Sequence, residues 1–76
     1  MNREIKLDKL KKEDIGKWVL YDGGFKKEKG RIKSWNSKFV FVVYKCDGQW
    51  DEFKNYTACA TNPEDIQLLE QTNTQP

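Results

Sequence analysis

Two groups of side chains in this chain have the chemistry of recognition. The first is a basic block of Lys26, Lys27, Lys29, Arg31 and Lys33, opposed only by Glu28. Cations at that density attract phosphates, and rings beside them can stack on bases. Lys27, Lys29, Arg31 and Lys33, with Trp35 or Tyr44 for stacking, are therefore the candidate nucleic-acid site. The second group is aromatic: Trp18, Tyr21, Phe25, Trp35, Tyr44, Trp50, Phe53 and Tyr56. In a short chain most such rings fill the core. Trp50 and Phe53 stand apart because they sit in a polar stretch. Either they fold back over an open end of the domain or they form a partner surface. Tyr21, Phe25, Trp50 and Phe53 are accordingly the candidate pocket for a protein or peptide.

Catalytic chemistry is largely excluded. The chain has no His, so neither a Ser-His-Asp nor a Cys-His nucleophile arrangement can be built. Two Cys without His cannot complete a four-ligand structural zinc site. Cys46 and Cys59 are too far apart for a redox CxxC and are read as small hydrophobes in strands. There is no phosphate-binding glycine loop and no calcium-hand ladder; Asp22-Gly23-Gly24 and Asp47-Gly48 supply turns. No catalytic residue, metal site or cofactor is expected.

The elements that would position these groups are short. At 76 residues there is room for one small domain. Asp8 can cap a helical turn over residues 9–13 that Gly16 ends, and Leu7 and Leu10 must lean on something to hold it. Residues 17–21 form a strand rich in β-formers, broken by Asp22-Gly23-Gly24. Residues 29–35 alternate, which predicts a half-buried strand. Asn36-Ser37 then reads as a two-residue turn into the most apolar strand, Phe39 to Tyr44. That turn sets Ile32 opposite Phe41 and Gly30 opposite Val43 on the core face. Arg31 with Val42, Lys33 with Val40 and Lys29 with Tyr44 fall on the other. Gly30 marks a bend or a close backbone approach. Residues 47–55 read as a long loop and 56–61 as a strand of small residues. Asn62 caps a turn with Pro63 at its first position, and residues 66–69 are the last strand.

The resulting pattern resembles an SH3-like barrel of the Tudor and KOW type. The pieces are Gly16-Lys17-Trp18-Val19-Leu20-Tyr21, Gly30-Arg31-Ile32, Phe39 to Tyr44, and Pro63-Glu64-Asp65-Ile66. Lys29-Gly30-Arg31-Ile32-Lys33 also looks like the glycine-centred core of a KOW motif. The resemblance implies an all-β fold, a small five-stranded barrel over residues 16–70. A helical covering segment at 1–15 precedes it and a disordered tail at 71–76 follows. It also implies an aromatic cage for a methylated Lys or Arg. By position, Tyr21, Phe25 and Tyr44 would form it, capped by Trp50 or Phe53, with Asp22, Asp47 and Asp51 as cation partners. The texture is similar, too, to small proteins of bacterial mobile elements and prophages.

Charge is unevenly distributed. Residues 1–33 hold 11 basic and 6 acidic side chains, whereas residues 34–76 hold 3 and 6. The net charge of +2 is low for a dedicated nucleic-acid protein. A non-catalytic module for a protein or peptide partner is therefore the leading expectation, and a nucleic-acid-associated module is the alternative. Pairing of two copies through the edge of the Phe39–Tyr44 strand is compatible with both. No apolar run reaches membrane-spanning length and no signal peptide is apparent, so a cytoplasmic location without membrane contact is expected.

Overall fold

The computed structural model describes residues 2–69, with side chains from Glu4 onward. The expected tail at 71–76 lies outside the described residues. Six strands form one sheet: β1 (Asn2–Glu4), β2 (Trp18–Asp22), β3 (Lys27–Trp35), β4 (Val40–Val43), β5 (Cys59–Thr61) and β6 (Ile66–Leu69). Four 3-10 turns punctuate them: η1 (Leu7–Lys9), η2 (Lys12–Asp14), η3 (Trp50–Asn55) and η4 (Pro63–Asp65). The strand order is β1-β6-β2-β3-β4-β5, and every neighbouring pair is antiparallel. The chain is all-β, as expected. Among the described residues no helix is long and apolar enough to cross a membrane.

Closure is a correction to the sequence reading. The sheet is not closed into a barrel: β1 and β5 are its two edges. Each has only three residues, and β5 stops at Asn62-Pro63, where Pro63 has no N–H to extend a ladder. A sixth strand, β1, joins the five expected and pairs with β6. The Phe39–Tyr44 strand is no edge either, because β4 is flanked by β3 and β5. A pairing of two copies through it is thereby removed.

The β3–β4 register also differs. The connection is a four-residue loop between the paired residues Trp35 and Val40, not a two-residue turn. A type I′ turn needs positive φ at both central residues. Ser37, which has a Cβ, does not adopt it, since Asp47 is the one non-glycine residue at positive φ among those described. Instead the Asn36 side-chain oxygen accepts from the amides of Lys38 and Phe39, both at 2.8 Å. Ile32 consequently faces Val42, and a bulge follows between Ile32 and Ser34.

A one-residue slip moves side chains to the opposite face. Val40 and Val42, expected outside, are fully buried with Ile32, Val19, Ile66 and Ile5 in the main core. Leu7 and Leu10 pack against that cluster. The expected turn over residues 9–13 is replaced by η1 and η2, on either side of Leu10 and Lys11. Val43 lies on the other face, in a second cluster with Cys46 and Phe53. Gly30 is a close approach, as read: a Cβ there would fall 2.5 Å from Val42 Cγ1 and 2.7 Å from the Val43 carbonyl oxygen.

Candidate binding pocket

The end of β2 and the start of β3 place Tyr21 directly opposite Glu28. Such cross-strand neighbours share a face, here the face of the main core. Tyr44 follows β4, and its ring meets that of Tyr21 edge-on, with centroids 6.0 Å apart and planes at 73°. An aromatic pair in this geometry is favourable because the positive edge of one ring meets the negative face of the other. The Tyr21 ring lies over the Asp22-Gly23-Gly24 turn. A Cβ on Gly23 would come within 2.6 Å of its hydroxyl, so the missing side chain makes room for the ring.

Tyr44 is anchored at its far end. Its hydroxyl lies 3.0 Å from Thr61 Oγ1, and Thr61 Oγ1 donates to the Cys59 carbonyl oxygen at 3.2 Å. Thr61 spends its single proton on that carbonyl, so the phenol is the donor in the first bond. Burial pushes the Tyr44 phenol above its ordinary value of 10.0, and the smaller effect of the Thr61 contact runs the other way. The phenol therefore stays protonated over the neutral range and keeps its role as donor.

Across from the tyrosines, η4 closes the site. Asn62 caps it by accepting from the Glu64 amide at 3.0 Å, as its position before Pro63 predicts. That turn brings Asp65 to the rim. The result is an open cavity of about 330 Å³ lined by Tyr21, Glu28, Tyr44, Cys59, Ala60, Thr61, Asn62 and Asp65. Its lining carries two carboxylates and no basic side chain. Among the described residues no group of His, Cys, Asp and Glu could hold a metal ion.

The structure thus brings together two of the candidate partner-binding residues, Tyr21 and Tyr44, and separates the rest. Phe25 stands fully exposed at the tip of the β2–β3 hairpin, away from the cavity lining. Trp50 and Phe53 take the first of their two alternatives and fold back. Phe53 is only 6% exposed, packed with Val43 and Cys46, and Trp50 leans on Trp18 with ring centroids 4.7 Å apart. Among the expected cation partners, Asp22 accepts from the Gly24 amide, and neither Asp47 nor Asp51 lines the cavity. Glu28 and Asp65 take that place. Glu28 was legible in principle, because the β2–β3 register across the glycine turn sets it opposite Tyr21. Thr61 and Asp65 arrive through the path of β5 and η4, which no local signal reveals.

The basic stripe is divided as well. Arg31 Nε donates to the Gly16 carbonyl at 2.7 Å and Nη1 to the Trp50 carbonyl at 2.9 Å. Its guanidinium lies over Phe53, 4.5 Å from the ring centre, and 5.4 Å from that of Trp18. Lys33 Nζ donates to the Tyr56 carbonyl at 2.8 Å. Trp35 packs against the main core. Lys27 and Lys29 remain exposed on β3.

No protein-family model matches this chain, and no curated protein or solved structure matches it either.

Proposed function

We propose that this chain is a non-catalytic interaction module of SH3-like topology, which holds a cationic side chain of a protein or peptide partner between Tyr21 and Tyr44. The observation that carries this reading is the cavity in which both rings stand with Glu28 and Asp65 and with no internal cation. Ring faces attract ammonium and guanidinium groups, by about 0.5–2 kcal/mol per contact depending on desolvation. Carboxylates at the rim add electrostatic steering and choose the sign of the partner.

The topology supports the SH3-like part of the reading. Strands β2 to β5 form a meander, and the 3-10 turn η4 returns the chain so that β6 pairs with β2. A cytoplasmic location and a bacterial or prophage origin belong to the same proposal. The nucleic-acid alternative is less well supported, because Arg31, Lys33 and Trp35 are engaged within the molecule, which leaves Lys26, Lys27 and Lys29 of the basic block exposed.

A residue-resolved NMR titration decides between them. N-acetyl-lysine amide should move the resonances of Tyr21, Glu28, Tyr44 and Asp65, and its norleucine counterpart should not. Short oligonucleotides at about 50 and 200 mM salt serve as the contrast, because phosphate contacts weaken steeply over that range. Salt-sensitive shifts along residues 26–35, with a silent cavity, would replace the peptide reading by the nucleic-acid one.

A further inference from the structure

We infer that the outer edge of β5 is a docking edge for an extended basic peptide, which adds a strand beside Cys59–Thr61 and sends a Lys or Arg side chain into the Tyr21–Tyr44 cavity. The inference deepens the pocket reading above and rests on it. Among the described residues, strand β5 pairs with β4 alone and is the last strand of the sheet. Its other edge presents main-chain donors and acceptors that a further strand can use.

The two edges of the sheet are guarded differently. Strand β1 ends at the exposed Glu4, and the exposed Lys6 follows shortly after. Charges of this kind are the usual protection against unwanted strand pairing. Around β5 the protection is missing. Residues 55–63 contain no charged side chain, the longest such run in a chain that is 34% charged. Cys59 and Ala60 are exposed. An edge short enough to avoid aggregation, yet uncharged, suits a regulated partner better than a sealed boundary.

The identity of the occupant follows from what the edge adjoins. Cys59, Ala60 and Thr61 line the same cavity as Glu28 and Asp65. A strand laid along β5 therefore passes within a side chain's reach of both carboxylates and both rings. An acidic peptide would meet two like charges. A purely apolar one would cover the carboxylates without pairing them, which is costly. A second copy of β5 would bring only uncharged side chains. A Lys or Arg on an extended segment satisfies the carboxylates, while main-chain bonds supply affinity and the pocket supplies selection.

The test uses the full chain, isotope-labelled, and a short capped peptide of alternating Thr and Val around a central Lys. Amide shifts at residues 58–61, together with shifts at Tyr21 and Tyr44, are expected. Methylating the peptide's backbone nitrogens should weaken binding by about tenfold or more, since the strand hydrogen bonds are lost. If the methylated and plain peptides bind alike and move only the cavity, strand addition is wrong while the pocket reading survives. If neither the peptide nor N-acetyl-lysine amide moves Tyr21 and Tyr44, both fail. Equal binding of a peptide with Glu in place of Lys overturns the basic occupant. Shifts at 58–61 that follow protein concentration without peptide would assign the edge to a second copy.

Discussion

The two faces of this sheet hold nearly the same ingredients and use them in opposite ways. On one face Trp18, Trp50 and Phe53 surround Arg31, whose guanidinium is shared between ring faces and the carbonyls of Gly16 and Trp50. On the other, Tyr21 and Tyr44 stand beside Glu28 and Asp65, and no described residue of the lining is a cation. The first is complete in itself: aromatic surface, a cation and its acceptors are all internal. The second has the rings and the acidic partners, and a cation must come from elsewhere. An aromatic cluster becomes a binding candidate through its unmatched chemistry, and the number of its rings says little.

Three substitutions sharpen that contrast. The largest effect belongs to Phe53→Ala, which empties the second core under Arg31 and should cost about 3–5 kcal/mol by urea unfolding. Tyr44→Phe, on the other face, keeps the ring and loses one hydrogen bond, so about 1 kcal/mol is expected. Equal losses at the two positions would erase the distinction between a structural and a recognition face. Arg31→Lys falls between these two, at about 2 kcal/mol. An ammonium cannot reproduce a planar fork that reaches two carbonyls and lies on a ring. A thermally unchanged Arg31→Lys protein would show that the guanidinium is dispensable and free to serve a ligand.

The smallest effect is a pH dependence at the N-terminal cover. Asp14 is held below its ordinary value of 3.8, first by the Lys17 side chain, 2.8 Å away, and then by the Lys11 amide. The carboxylate is thus favoured in the folded chain. Its contribution is present above the unfolded value and is lost as pH falls through the lower folded one. Asp14→Asn keeps an acceptor for the Lys11 amide and removes only the charge paired with Lys17, so it should cost a few tenths of a kcal/mol, roughly, at neutral pH and flatten part of the acid limb of stability. An acid limb identical in both proteins would place the sensitivity at another carboxylate.

Local chemistry made much of the fold legible. β-Rich runs bounded by Gly, Asn and Pro mark β2, β3, β4 and β6, and Asn62-Pro63 marks the capped η4. Gly30 announces its close contact because only a residue without Cβ fits under Val42. Strand β1 has no local signal, since Asn2, Arg3 and Glu4 have no β-forming pattern and are held by their ladder with β6. Trp50 and Phe53 stand out in the sequence as large rings in a polar stretch, but their destination depends on Arg31 and Val43, residues distant in sequence.

By itself the sequence determined the class of fold, the absence of His-based catalysis and the residue types available for recognition, because these follow from composition and short-range propensity. Which aromatics face one another was decided only in three dimensions. The four-residue loop at Asn36–Phe39 and the bulge after Ile32 set the face of every side chain on β4. With a strand period of two, one residue of slip is enough to carry Tyr44 from the company of Lys29 to that of Tyr21 and Glu28.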